Sequence, residues 1–345
     1  MNSFEKINKK TATYAAVEKI LFWLIFLFSW VLFALNSGNV DFKNYENAYD
    51  MIGEGQNNGY FEFLFLILVK LGNLFGLSYQ MFLVAVATIT LLIFAKAVRN
   101  FTDNMLFTYG LFIVYPLVFD IVQYRNFIAY AVCLYGLKYL LKETVTQRDI
   151  LKYTACVIIG ALLHLSSIIY ILFLLTVIKS NKKVFIISLG FSAVMIAFLA
   201  FPQVFTELLK VIGLSKYARY DVDGNFSTFI QYLAVYIMFF VLGVLSLNGN
   251  YKGRELKLMI VVLMFIPFIL FNGTAARFFR NTFVIFYGII LNNLPIIRGS
   301  RLKVKNFLIF MALFATVAVV FVMQLGSGLY FETVLKPVLR ENLLF

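Results

Sequence analysis

Arg125 sits in FDIVQYRNFIAYAV, residues 119 to 132, and puts a fixed positive charge in a stretch that otherwise reads as membrane core. Two readings fit it. The guanidinium either snorkels to the interface and pairs with Asp120, or faces a polar interior where an anion meets it. Arg277 and Arg280, in NGTAARFFRNTFVIFYGIILNNLP, are i and i+3 on one side of a helix that they open near Gly273. They either anchor that helix or, with its first backbone N–H groups, offer planar forks to a phosphate-like anion. His164 is the single histidine of the chain. It is either a satisfied structural residue or, with an ordinary pKa near 6.5, a group that exchanges a proton at working pH. Most outer acids, Asp41, Glu46, Asp50 and Glu54 among them, read as solvated loop charges. Glu62 differs because it lies inside an apolar helix, where a carboxylate needs a reason to be.

The elements that hold these groups follow from composition. Of the 345 residues, 62% are hydrophobic, against about half in a soluble domain. The chain therefore reads as a polytopic, all-α transmembrane bundle forming one membrane domain over 1–345. The first apolar run, Ile20 to Leu35, is read as a retained helix because similar runs follow it and no small-residue cleavage site does. Cys133 and Cys156 lie inside apolar runs, where they act as small hydrophobes, and indicate neither a disulfide framework nor a metal site. The net charge of +13 raises nucleic acid as a partner, but topology gives a plainer cause and no nucleic-acid partner is expected.

Lys and Arg favour cytoplasmic loops. Clusters at Lys6 to Lys19, Lys96 and Arg99, Lys142 to Arg148, Lys179 to Lys183, Lys252 to Lys257 and Arg298 to Lys305 mark inside turns. Alternation then yields about 11 crossings, near 20–35, 79–98, 105–121, 125–141, 150–164, 166–178, 183–201, 229–247, 256–272, 277–297 and 304–325. Parity requires a bend at the outer face within HLSS, His164 to Ser167, and forbids residues 60–76 from crossing. That stretch reads as a re-entrant or interfacial helix. The N-terminus is expected inside and the C-terminal tail, 326–345, outside, with one long outer loop over 202–228. Within that loop DVDG, Asp221 to Gly224, reads as a turn rather than a metal-binding DxD, since nucleotide sugars are not available there.

Five stretches occur in an order that resembles the EpsG family of Wzy-type polysaccharide polymerases. They are VDFKNYENAY (Val40 to Tyr49), NGYFEFLF (Asn58 to Phe65), QYRNFIAYAV (Gln123 to Val132), ALLHLSSIIYILFLL (Ala161 to Leu175) and ARFFRNTF (Ala276 to Phe283). Together they span about residues 40 to 285. Phe42, Asn126, Leu163 and Ser167 depart from the family's pattern, and Phe61 adds a residue before Glu62.

The resemblance implies an enzyme of a bacterial cytoplasmic membrane, serving exopolysaccharide or capsule synthesis. It would join lipid-linked oligosaccharide repeat units at the outer face, moving the growing chain from one undecaprenyl pyrophosphate onto a sugar hydroxyl of another. A pyrophosphate leaving group is a weak base that needs cations rather than a proton, and Arg125, Arg277 and Arg280 would supply them without a metal. No cofactor is expected. The acceptor hydroxyl needs a base, His164 or Glu62, with the other orienting it or binding sugar. Asp41, Tyr45 and Tyr60, with Tyr49 and Tyr124, suit sugar contacts. The implied partners are donor and acceptor lipid-linked oligosaccharides, membrane lipid and a chain-length regulator. Rival readings are a lipid-linked oligosaccharide flippase, a membrane acyltransferase and a polymer ligase. A flippase would need charges through the crossings, whereas these map to one face.

Overall fold

The computed structural model describes residues 3–56, 59, 61–198, 201, 203–204, 207, 226–251, 253–271, 275–294, 304–326 and 328–344. The described residues are almost wholly helical. Among them, Ala16–Ala34, Tyr79–Arg99, Phe226–Ser246 and Val304–Leu325 are each long and apolar enough to cross a bilayer. Rows of large apolar side chains stay exposed along them, such as Ile20, Trp23, Leu24, Leu27 and Phe28. Water would penalise such a surface, whereas lipid accepts it. This is a membrane protein.

Two compact units make up the chain. The first comprises Met1–Lys138, Leu151–Ile168 and Val317–Phe345, the second Tyr139–Ile150 and Ile169–Thr316. Within the first run α1 (Ser3–Ala34), α2 (Phe42–Gly53), α3 (Phe63–Leu74), α4 (Tyr79–Arg99), α5 (Met105–Val114) and α6 (Leu117–Val122). Most of α7 (Tyr124–Leu140) and α8 (Gln147–Leu163) belongs to it as well.

The described residues of the expected crossings are largely helical, four of them as helices long and apolar enough to span a bilayer, and some of the stretches are interrupted. The 105–121 stretch breaks between α5 and α6 at Tyr115 and Pro116, since proline lacks the N–H that the helix would use. The 277–297 stretch divides into Ala276–Asn281 and Phe283–Asn292. At that break Thr282 Oγ1 donates to Phe279 O at 2.6 Å, a local bond that competes with the helix ladder. Within HLSS, where a bend is expected, the helix is interrupted: α8 ends at Leu163 and a 3-10 segment begins at Leu165.

The interfacial helix expected near 60–76 is α3, of 12 residues. At 1.5 Å per residue it is roughly 18 Å long, well short of a hydrocarbon core of about 30 Å. The stretch whose acids, Asp41, Glu46, Asp50 and Glu54, read as solvated loop charges contains α2, which buries Tyr45, Ala48, Tyr49 and Ile52, an i, i+3, i+4, i+7 stripe. Tyr49 donates its hydroxyl to Leu77 O at 2.8 Å, and Asn73 Nδ2 donates to Tyr49 O at 3.3 Å. Gly72 lets α3 approach closely, for a Cβ there would stand 2.8 Å from both Tyr49 Oη and Phe82 Cδ2.

The C-terminal tail returns to the end of α1. Leu343 N donates to Leu35 O at 2.9 Å, Ser37 N to Glu341 O at 2.8 Å, and Asn342 Nδ2 to Val31 O at 2.9 Å. In the second unit, Arg254 Nη1 donates to Leu140 O at 2.8 Å, Asn181 Nδ2 to Tyr251 O at 2.5 Å and Lys305 Nζ to Asn248 Oδ1 at 2.9 Å. Those bonds link, within that unit, chain near four of the basic clusters, at Lys142, Lys179, Lys252 and Lys305.

Candidate functional site

The carboxylate of Glu62 is shared. Arg125 Nη2 donates to its Oε2, and its Oε1 lies 3.7 Å from His164 Nδ1. The three side chains come from distant parts of the sequence yet are all nearly buried, at 10%, 8% and 14% exposure for Glu62, Arg125 and His164.

Each position has a local cause. Glu62 occupies the extended residue before α3, at φ −68° and ψ 158°, and its side chain makes no capping bond there. It is thereby left to reach into the protein. Arg125 stands in the first turn of α7. His164 follows the last residue of α8, its N–H donating to Gly160 O at 2.8 Å while its own carbonyl accepts from Ser167 N at 2.9 Å.

Close packing of α7 on α8 sets the separation of Arg125 and His164. A Cβ on Gly160 would lie 2.6 Å from Cys133 Sγ and 3.0 Å from Ala129 O, and one on Gly136 would lie 2.8 Å from Cys156 Cβ. Small residues allow such an approach between membrane helices. Both cysteines therefore serve as packing surfaces, and both are free.

Aromatic rings wall the guanidinium. The Cζ of Arg125 is 4.6 Å from the Phe61 ring centroid, 5.3 Å from Phe65 and 6.0 Å from Tyr45. Ring faces carry negative potential and favour a weakly hydrated cation. Phe61, the extra residue of the NGYFEFLF stretch, is thus a wall of the site. Tyr45 is buried, with its ring 4.5 Å from that of Tyr124. Tyr45 and Tyr124 pack around Arg125, and Tyr49 spends its hydroxyl on Leu77. Asp41 is the residue before α2, and its N–H donates to Asn39 Oδ1 at 2.9 Å. Tyr60 lies outside the described residues, as do Asp221 and Asp223.

Arg277 and Arg280 belong to the second unit, on the six-residue helix Ala276–Asn281. Arg280 is buried, and the Cζ of Arg277 is 5.7 Å from the Phe278 ring. The neighbouring Asn281 donates from Nδ2 to Tyr170 Oη at 2.9 Å.

Three further polar residues border the first-unit cluster: Asn126, Ser166 and Ser167, each buried. Neither amide atom of Asn126 has a hydrogen-bond partner among the described residues, nor has either serine hydroxyl. Ser167 and Ala129 both press on Gly160, and Asn126 is one turn from Ala129 on α7. Buried polar atoms left in this way cost about 1–3 kcal/mol each, so such groups are normally met by water or a ligand. Their place beside Arg125 and His164 was the available signal, but a serine or asparagine in an apolar run does not announce its burial.

Chemically, the arrangement is an imidazole backed by a carboxylate that a guanidinium steadies. A carboxylate facing Nδ1 favours the tautomer with its proton there, which leaves Nε2 as the accepting atom. Among the described residues no cluster of His, Cys, Asp and Glu could hold a metal ion. Comparison with curated proteins and with solved structures gives no match. The sequence model of the EpsG family matches residues 19–332, a span that includes Glu62, Arg125, His164, Arg277 and Arg280. The chain therefore belongs to the EpsG family, a Wzy-like family of polysaccharide polymerases.

Proposed function

We propose that this protein joins oligosaccharide repeat units carried on undecaprenyl pyrophosphate, at the outer face of a bacterial cytoplasmic membrane. The bond between the anomeric carbon of the donor sugar and its pyrophosphate oxygen breaks. A glycosidic bond forms to a hydroxyl oxygen of the acceptor unit, the hydroxyl proton passes to the protein, and undecaprenyl pyrophosphate leaves. The observation that carries the reading is the shared Glu62 carboxylate, bound by Arg125 and 3.7 Å from His164.

In this reading His164 takes the acceptor proton. Glu62 is already committed to a guanidinium, which makes it the poorer acceptor; it orients the imidazole and stabilises the imidazolium that forms. Arg125, as a planar guanidinium with several N–H donors, contacts pyrophosphate oxygens as negative charge grows on them in this reading. For Arg277 and Arg280 the proposed role, pyrophosphate contact, rests on residue type. Asn126 and Ser167 offer hydrogen bonds to acceptor hydroxyls, and Asp41, Tyr45 and Tyr60 form the proposed sugar-contacting margin. Leaving-group stabilisation by arginine makes the reaction independent of a metal.

The test is extension of purified lipid-linked repeat units by the purified protein, with product length read on a gel. Wild-type protein should yield a ladder that survives EDTA, and His164→Gln should yield none while remaining in the membrane at normal level. A full ladder from His164→Gln removes the assigned base. Cells lacking the gene should display single repeat units; complete loss of surface glycan would instead indicate transport.

A further inference from the structure

An apolar groove of about 430 Å³ lies within the first unit, lined by residues that neighbour Glu62, Arg125 and His164 in sequence. That volume is in the range of roughly 300–1,000 Å³ found for ligand sites. Its walls come mainly from four helices, and on three of them, α3, α7 and α8, the lining includes a residue within about one turn of Glu62, Arg125 or His164. On α3 it begins at Leu64, near Glu62; on α7 it includes Ile128 and Val132, one and two turns beyond Arg125. On α8 it includes Leu163, adjacent to His164, and then Ile159. On α4 it extends from Phe82 to Ile93, roughly 16 Å at 1.5 Å per residue. On α7 the lining runs away from Arg125 with rising residue number, and on α8 it runs away from His164 with falling number. The groove therefore leads away from the charged residues along a wall that includes α4, a helix long and apolar enough to cross a bilayer.

A ligand that matches both ends carries an anionic head and a long, unbranched-in-overall-course hydrocarbon tail. We infer that the groove seats the proximal isoprenoid units of a polyprenyl-pyrophosphate carrier, with the pyrophosphate held at its mouth by Arg125. This rests on the polymerase reading given above and locates its lipid. Bulk phospholipid tails are the competing occupant. They would fill any lipid-facing furrow, but nothing would bind their heads selectively at this one. A tail fixed here holds the donor's reacting carbon at the depth of His164, so the lipid serves to position the sugar as well as to carry it.

The experiment uses the full-length protein in lipid nanodiscs and labelled polyprenyl pyrophosphate bearing no sugar. A photoreactive phenylalanine analogue is placed at Ile93, the last α4 residue of the lining, or at Leu92, which is exposed on the same helix and does not line the groove. Labelling at position 93 should exceed that at 92 at least fivefold, compete with unlabelled polyprenyl pyrophosphate, and fall when Ala85→Trp fills the groove. Equal labelling at the two positions overturns the inference. So does a phospholipid adduct at 93 that excess polyprenyl pyrophosphate leaves unchanged. Selective labelling at 93 by a protein that extends no glycan would keep the groove assignment and defeat the polymerase reading, so the two fail separately.

Discussion

Glu62 Oε1 stands 3.7 Å from His164 Nδ1, while the other oxygen of the same carboxylate accepts from Arg125. One carboxylate therefore sets the charge balance of the cluster, and its removal has two separable effects. Breaking a buried ion pair from one side strands the remaining charge, at about 3–5 kcal/mol. Glu62→Gln should lower the melting temperature in detergent by several degrees and abolish chain extension. Adding Arg125→Met should restore much of the melting temperature and none of the activity. An unchanged melting temperature for Glu62→Gln would show that the pair is not held in the folded protein.

Gly160 tests the spacing of the two helices that carry Arg125 and His164. A methyl at this position meets Cys133 Sγ, which can rotate away, and Ala129 O, which cannot. Overpacking of this kind costs about 1–3 kcal/mol. Gly160→Ala should reduce polymer length, Gly160→Leu should eliminate it, and Cys133→Ala should rescue the alanine variant only in part. Full activity of Gly160→Leu would mean that helix spacing does not govern the site.

At the turn between α7 and α8, Asp149 accepts from Lys142 Nζ at 2.5 Å and from Thr146 Oγ1 at 2.8 Å. The Lys142 bond first, and then Thr146, hold its carboxyl down at about 2. A depressed folded value means stability that is complete above the unfolded carboxylate pKa of about 3.9 and is lost as pH falls toward the folded value. Asp149→Asn should therefore melt below wild type by the same interval at pH 7 and pH 5, and the interval should narrow below about pH 4. A gap that closes between pH 7 and pH 5 would contradict the assignment.

Sidedness is open to direct measurement. In a Cys133→Ala, Cys156→Ala background, a cysteine at Lys182 should react with an impermeant maleimide only after the membrane is opened. A cysteine at Lys43, on α2, should react in intact cells. The opposite pattern would invert the topology and with it the proposed location of the reaction.

How much of this was legible varied with the range of the interaction. Helical segments were readable because lipid demands long apolar runs with their backbone bonds satisfied internally. The break at His164 was readable because basic turns on both sides imposed parity. The same charges that looked misplaced, Glu62, Arg125 and His164, are those that meet. That Arg125 pairs with Glu62, where the sequence offered Asp120 nearby, depends on α3 docking through Gly72 against α2 and α4, and no local pattern records that. The α2 helix was missed although Tyr45, Ala48, Tyr49 and Ile52 carry its period, because polar residues between them dilute the stripe. Thr282 gave no warning of the break after Asn281, since threonine is tolerated in most helices.

The bonds between Asn342 and Val31 and between Leu343 and Leu35 bear on biogenesis. The end of the first helix is completed by residues synthesised about 300 positions later. At about 5–20 residues per second, the translation machinery reaches them on the order of 15–60 s after α1 has been made. Through that interval the carbonyl of Leu35, which Leu343 N–H meets in the folded chain, is open to insertion factors and proteases. A chain cut short before Asn342 would carry Glu62, Arg125 and His164 and still present the unsealed end of α1 to the cell's quality control.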